Sequence, residues 1–229
     1  MAISGDVKLL SLWSSPYAMR AMIALGLKSV SYELQEEILA SKSELLLRSN
    51  PVHKKVPVLI HKNKPVCESL IIVEYIDEVW SSSGPSFLPS DPYDRAVARF
   101  WGAYIDEKFF ATLREILRAE GEEAKRAAMA KAEEQLALLD KAFAESSNGN
   151  PFFNGGHIGY VDIALGSILA WVSVIELVFG RTLVDETKTP VLSKWAERFR
   201  SDPVVRSAMP ETEKLVEYAK KVFPKLLPA

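Results

Sequence analysis

Three short stretches of this chain carry residue types whose spacing suits chemistry. Trp13-Ser14-Ser15-Pro16 sets two hydroxyls directly before a proline. Lys55-Val56-Pro57 sets a cation and an X-Pro bond at the head of an apolar run, and Glu68-Ser69 sets an acid and a hydroxyl ahead of an amphipathic segment. Pro57 cannot donate a ladder hydrogen bond, so it belongs at a strand start or a tight turn. An X-Pro bond is also where a cis peptide is least costly. A cis bond at Val56-Pro57 would turn the Val56 backbone outward, where its N–H and C=O can pair with an extended peptide. Ser69 offers a hydroxyl and a helix N-terminus to a carboxylate, and Lys55 offers a charge to a second one. The ligand implied is small, peptide-like and anionic at both ends.

The run Pro51-Val52-His53-Lys54-Lys55-Val56-Pro57-Val58-Leu59-Ile60, followed by Cys67-Glu68-Ser69-Leu70-Ile71-Ile72-Val73-Glu74-Tyr75-Ile76-Asp77-Glu78, resembles plant glutathione transferases of the tau class. The likeness extends upstream through Leu9–Leu25 and downstream through Asp91-Pro92-Tyr93-Asp94-Arg95-Ala96, and fades after about residue 110. It implies a thioredoxin-like N-terminal domain and an all-helical C-terminal domain. It further implies a homodimer, glutathione as co-substrate with no metal, and apolar electrophiles as second substrates.

In that family the catalytic serine stands just before the proline, which is Ser15 here. Without the resemblance, Ser15 or Ser14 reads simply as an N-cap. The chemistry required of Ser15 is modest. A free thiol has a pKa of roughly 8.5. Lowering it by ~2 units takes about 2.7 kcal/mol of preferential thiolate stabilisation. A hydroxyl donating to a charged acceptor supplies ~1.5–3 kcal/mol, and a helix N-terminus adds a fraction. No base and no metal is needed. The resemblance also implies that Lys42 and Lys55 hold the glycyl carboxylate of glutathione from two directions. Val56 would pair with the peptide backbone, Glu68 would hold the γ-glutamyl ammonium and Ser69 its carboxylate.

The electrophile pocket implied by the family is lined by the helix after the inter-domain linker and by the buried C-terminal helix. Phe110, Arg114 and Leu117 stand at i, i+4, i+7 and share one face. Trp171 is expected on the opposite wall and Tyr17 on the floor. Two departures stand out: Leu117 replaces an aromatic common among relatives, and Gly159 replaces the Ser or Thr that usually opens Gly159-Tyr160-Val161-Asp162. Asp162 remains able to hold backbone N–H groups and is read as structural. Glu78 and Arg95 are candidates for an ion pair between subunits. His53 and His61 have no partner at metal-ligand spacing and read as structural or exposed.

These residues need elements to hold them. Val7–Leu12 suits a buried strand, and Pro16 opens a helical pattern through Met19, Ile23 and Leu27. Ser31–Leu34 alternates weakly, and Ser41–Ser49 is helical. Pro57–Ile60 and Pro65–Cys67 pair around Lys62-Asn63-Lys64 as a hairpin, and Ser69–Trp80 is helical. The order β-α-β-α-β-β-α is that of a thioredoxin-like domain over residues 1–82. A Ser-, Gly- and Pro-rich linker follows over 83–92. Residues 93–229 read as helix throughout, with Val97 to Leu113 in helical register, Ala124–Phe143 rich in helix formers, a buried helix over Val161–Phe179 and another over Val191–Phe199.

The bulk composition limits the remaining functions. The 229 residues carry a net charge of −2, which favours neither nucleic acid nor an anionic membrane. Cys67 is the single cysteine, so no disulfide forms within the chain. The first six residues show no signal-peptide pattern, and the apolar stretch Ile163–Ile175 reads as a core helix too short to span a bilayer. The expected location is the cytosol. The expected activity is conjugation of glutathione to apolar electrophiles, including herbicides, with reduction of organic hydroperoxides alongside. The rivals are a non-catalytic carrier of flavonoids or porphyrins, a dehydroascorbate-type reductase, and a structural module on the same fold. The reductase would carry Cys where Ser15 stands, and the intact Lys55, Glu68 and Ser69 disfavour a merely structural module.

Overall fold

The first apolar run forms β1 (Val7–Ser11), whose side chains are almost all buried. A computed structural model describes residues 6–223. Residues 1–5, most of the stretch read as lacking a signal peptide, lie outside that range. β1 pairs in parallel with β2 (Glu33–Glu36) and antiparallel with β3 (Val58–His61), and β3 pairs antiparallel with β4 (Lys64–Cys67), so the sheet order is β2-β1-β3-β4. The β3–β4 hairpin turns through Lys62 and Asn63, both at positive φ, as a two-residue turn matched to strand twist requires. β2 lies two residues beyond its expected start. Its own alternation is weak because it is an exposed edge, so pairing decides its register: Lys8 sits opposite Glu33 and forms a 3.0 Å ion pair with it.

α1 (Pro16–Leu27), α2 (Glu44–Ser49) and α3 (Ser69–Val79) complete this unit. α1 and α3 pack together. Met19 and Ile23 of α1, Ile72, Val73 and Ile76 of α3, and Leu9, Val58 and Leu59 of the sheet are fully buried. Leu46 of α2 packs on Leu10 and Val58.

The expected linker begins inside this unit. Asp77 accepts hydrogen bonds from the backbone of Phe87 and Leu88 at 2.9 and 3.2 Å. Buried Lys28 meets Asp77 at 2.8 Å, donates to the Pro85 carbonyl at 2.7 Å and lies over the Phe87 ring. Gly84 has φ +72, and a Cβ there would stand 2.6 Å from the Leu27 carbonyl oxygen, so glycine is required. The two compact units divide between Leu88 and Pro89.

The second unit is helical: α4 (Pro92–Tyr104), a π-helical turn over Ile105–Phe109, α5 (Phe110–Arg118), α6 (Glu122–Ser147), α7 (Tyr160–Gly166), α8 (Leu169–Phe179), α9 (Pro190–Ser201), α10 (Pro203–Ala208) and α11 (Thr212–Val222). The single helix expected over Val161–Phe179 is interrupted at Ser167 and Ile168. Ser167 turns its hydroxyl back onto the Ala164 carbonyl at 3.1 Å, a local bond that competes with the helix ladder. Gly166 lets the Phe199 ring of α9 approach where a Cβ would stand 2.2 Å from it. By length and composition Tyr160–Phe179 is long enough to cross a membrane, contrary to the shorter span read from sequence, and 78% of its apolar window is buried within the protein.

Asp162, fully buried, organises the start of α7. Its carboxylate accepts from the Gly159 backbone at 2.9 Å, the Phe153 backbone at 3.1 Å and the Trp195 indole at 2.7 Å. It supplies the reciprocal half of a capping box, accepting from the N-cap N–H, while Gly159 has no side chain to accept in return. Burial raises its pKa to about 7, against the lowering effect of these donors.

Candidate functional site

The sheet registers bring the expected glutathione-binding residues to one end of the sheet. Ser11, the last residue of β1, is opposite Glu36, the last residue of β2. Leu10 is opposite Val58 at the start of β3, and Val58 is opposite Cys67 at the end of β4. The segments that leave or enter the sheet at this end carry Ser15 after β1, Lys42 after β2, Lys55, Val56 and Pro57 before β3, and Glu68 and Ser69 after β4. Because β1 lies between β2 and β3, the Lys42 and Lys55 segments flank the segment bearing Ser15.

Ser15 is the N-cap of α1. Its Oγ accepts from the Ala18 backbone at 3.3 Å, and its extended backbone is held by a 2.8 Å bond from its N–H to the Leu12 carbonyl. The capping reading and the catalytic one are compatible. Capping occupies a lone pair, and among the described residues the hydroxyl proton has no acceptor. That proton sits beside the N-terminus of a helix, where an anion is favoured. Ser14, the other cap candidate, is buried and is not the cap. The turn is pinned by the Trp13 N–H, which donates to Glu36 Oε1 at 2.6 Å.

The segment before β3 is shaped by Asn50, whose amide donates to the Lys55 carbonyl at 3.0 Å and whose Oδ1 accepts from the His53 backbone at 3.1 Å. Lys55 itself is exposed. The Val56-Pro57 bond is cis. Among the described residues Val56 makes no backbone hydrogen bond, so its N–H and C=O stay available.

Glu68 stands at φ 70, ψ 119, outside even the left-handed helical well. Such a conformation costs about 1–3 kcal/mol and persists only where its surroundings impose it. It directs the chain into α3, which starts at Ser69. Ser69 is thus the first helical residue, as the sequence pattern predicts; Glu68 is the N-cap and makes no side-chain capping bond. The Ser69 hydroxyl instead accepts from Arg20 Nη1 at 3.1 Å, with both residues buried. The Glu68 carboxylate lies 3.8 Å from His53 Nε2, both of them solvent-exposed.

Cys67 sits at the same sheet end with its thiol 3.6 Å from the Ser49 carbonyl. Burial, aided by the Glu68 charge, pushes its pKa up and so disfavours the thiolate. Hydroxyl chemistry at Ser15 therefore has no competing protein thiolate.

Similarity to known proteins matches this geometry. Residues 5–78 match the family "Glutathione S-transferase, N-terminal domain", and residues 93–203 match "Glutathione S-transferase, C-terminal domain". Glutathione S-transferase U17 of Arabidopsis thaliana is 64% identical over 97% of this chain and 98% of its own length. A mango (Mangifera indica) tau-class glutathione S-transferase structure superposes with a TM-score of 0.92 at 60% identity, covering 96% of this chain and 99% of that one. A rice glutathione S-transferase solved in complex with glutathione superposes with a TM-score of 0.88 at 36% identity, covering 96% of this chain and 97% of that one.

The chain belongs to the tau class of the glutathione transferases. It is a transferase that uses glutathione, built on a thioredoxin-like domain followed by a helical one.

In this transferase the residues expected to contact the electrophile are largely packed into their own units. Phe110 and Leu117 are 6% and 3% exposed, and α5 packs on α6 and α8. The Arg114 guanidinium lies 5.3 Å above the Phe110 ring, and Arg20 lies 5.2 Å from the Tyr17 ring. Trp171 is 6% exposed and meets the edges of Tyr218 and Phe223. A groove of ≈ 690 Å³ between α5 and α6 is bordered by Arg114, Arg118 and Lys131 over an alanine floor; of the five expected pocket residues only Arg114 reaches it.

Arg95 holds the carbonyls of Pro89 and Ser90, a role within its own unit that the sequence reading did not foresee. His61 bonds Tyr75 at 2.8 Å and packs against Trp80, in keeping with a structural part. No cluster of metal-ligating side chains is found among the described residues.

The sequence reading missed Arg20, Glu37, Tyr218 and Phe223. Arg20 was legible only as a cation inside an otherwise apolar helical face, Met19-Arg20-Ala21, where a buried charge must have partners. The aromatic spacing of Tyr218 and Phe223 carried no signal separable from ordinary core packing.

Proposed function

We propose that this transferase joins the thiolate of glutathione to an electrophilic carbon of apolar compounds such as halogenated aromatics, herbicides and unsaturated carbonyls. The observation that carries the reading is the Ser15 hydroxyl at the N-terminus of α1, whose proton has no acceptor among the described residues. It stands at the sheet end from which the Lys42, Lys55, Val56, Glu68 and Ser69 segments emerge. Ser15 donates to the thiolate and lowers its pKa. Lys42 and Lys55 hold the glycyl carboxylate, Val56 pairs with the cysteinyl backbone, and Glu68 and Ser69 hold the γ-glutamyl end. The same thiolate attacks the peroxide oxygen of organic hydroperoxides, so a glutathione peroxidase activity accompanies conjugation. Tyr17, Phe110, Arg114, Leu117 and Trp171 set the choice of electrophile. The active form is a cytosolic homodimer.

The rice relative's complex with glutathione supports glutathione as the bound co-substrate. The test is retention on immobilised glutathione followed by turnover of a panel of electrophiles and cumene hydroperoxide. Conjugation lost in Ser15→Ala supports the reading. Retention without turnover of any electrophile would replace it with a carrier of apolar ligands.

A further inference from the structure

The loop between β2 and α2 holds two opposite charges that do not pair. Glu37 is buried, 3% exposed, and its carboxylate has no cation partner among the described residues. It is satisfied by neutral donors instead: the Ser43 backbone N–H at 3.1 Å, the Ser43 hydroxyl at 2.7 Å and the Gln35 side-chain amide at 3.1 Å. Lys42, the residue next to Ser43, makes no hydrogen bond or ion pair among the described residues, although Glu37 lies in the same loop.

Burying a carboxylate is costly unless its acceptor sites are filled. A nearby ammonium would be the obvious neutraliser, and the chain does not use it. Backbone bonds keep the loop closed: the Glu37 N–H donates to the Ser11 carbonyl at 2.8 Å, tying the loop to the end of β1, and the Ser41 N–H donates to the Ile38 carbonyl at 2.9 Å. At the far end the Ser43 Oγ accepts from the Leu46 N–H at 3.0 Å, capping α2. The Glu37 carboxylate therefore clamps the loop at Ser43, one residue beyond Lys42, and does so without consuming the Lys42 charge.

We infer that Glu37 is a positioning residue for glutathione binding. Its bonds to Ser43 fix the loop so that the ammonium of Lys42 is presented, unpaired, to the glycyl carboxylate. This rests on the reading of Lys42 as a glutathione ligand. Loss of the clamp leaves Lys42 present but free to sample solvent, so the bound arrangement must be selected from a wider ensemble and apparent affinity falls by the fraction that remains competent.

The test uses the full-length enzyme and four variants: Glu37→Gln, Lys42→Ala, the double variant, and Ser43→Ala, which keeps the backbone bond to Glu37 but removes the hydroxyl one. Kinetics are measured with glutathione and with its glycyl monoethyl ester, which lacks the carboxylate in question. Glu37→Gln is expected to raise the glutathione KM about 5–20-fold, the loss of one charge-assisted hydrogen bond, with kcat within about twofold. Ser43→Ala should move KM the same way by less. The preference of the parent for glutathione over the ester should shrink in Glu37→Gln by a similar factor. The double variant should match Lys42→Ala, since one residue acts through the other. A raised KM in Lys42→Ala with an unchanged KM in Glu37→Gln and Ser43→Ala overturns the positioning role alone. Additive effects in the double variant, or an undiminished preference against the ester, also overturn it. An unchanged KM in Lys42→Ala overturns the ligand role of Lys42 and the positioning role together.

Discussion

Arg20 of α1 donates to the hydroxyl of Ser69, 49 residues away at the start of α3, across 3.1 Å in the interior of the thioredoxin-like unit. Arg20 is fully buried and Ser69 nearly so, which makes this contact both a structural tie and the support of a residue assigned to the γ-glutamyl carboxylate. It couples the helix that begins at Ser15 to the helix that begins at Ser69, the two N-termini at the end of the sheet proposed to bind glutathione.

Ser69→Ala should therefore weaken two properties at once. It removes the proposed contact with the γ-glutamyl carboxylate, and it takes one acceptor from a buried guanidinium, a loss of about 1–3 kcal/mol. Urea unfolding should show the stability cost and steady-state kinetics a raised glutathione KM. A variant with parental stability would place the main support of Arg20 elsewhere, and an unchanged KM would remove Ser69 from the site.

Ser15→Ala should lower conjugation by roughly 30–150-fold at neutral pH, the kinetic equivalent of about 2–3 kcal/mol of thiolate stabilisation. It should leave glutathione binding largely intact. The ultraviolet band of bound thiolate, followed against pH, should shift to higher pH by up to about two units. The lost N-cap should also destabilise the fold by ~1 kcal/mol. Full activity with an unshifted thiolate titration would dismiss Ser15 from catalysis.

Lys55→Ala should raise the glutathione KM with little change in kcat. The glycyl carboxylate it is proposed to hold keeps its charge through the reaction, so that interaction would stabilise ground and transition states alike. Lys55 is exposed, and its segment is held through the backbone by Asn50, so the fold should tolerate the change. Parental KM in this variant would withdraw Lys55 from the site.

Asp162 makes stability depend on pH in a direction opposite to most carboxylates. Its folded pKa is raised to about 7, so the folded state binds more protons than the unfolded chain between roughly pH 4 and 7. Its contribution is most favourable below the unfolded pKa. It declines by up to about 1.4 kcal/mol per pH unit through that window and levels off above it. Asp162→Asn should remove this slope while losing the acceptor for the Gly159 N–H. Urea midpoints of parent and variant, compared from pH 5 to 8, should converge as pH rises. Parallel curves would show that Asp162 does not titrate in that range.

Local chemistry was enough to place the elements that bear the site. Pro16 after a serine marks the start of α1, Lys62-Asn63 marks a tight hairpin turn, and Val56-Pro57 marks the cis bond, because each depends on backbone preferences of adjacent residues. The family resemblance then nominated Ser15, Lys42, Lys55, Val56, Glu68 and Ser69 as ligand contacts, all of them within a few positions of strand or helix ends.

Tertiary structure alone decided the rest. Ser69, expected at the start of a helix, is also an acceptor for Arg20, a partner 49 residues away that no local pattern reveals. The long apolar run over α7 and α8 holds Gly166-Ser167, a pair that a helix can tolerate; its interruption there joins the local bond from the Ser167 hydroxyl to the Ala164 carbonyl with the close approach of α9 at Gly166. Glu37 and Lys42 are opposite charges five residues apart in one loop. Which of them is buried, and that the buried one takes Ser43 and Gln35 as partners in place of the lysine, was decided by packing of the loop against the end of β1, because burial sets the desolvation cost that selects a charge's partners.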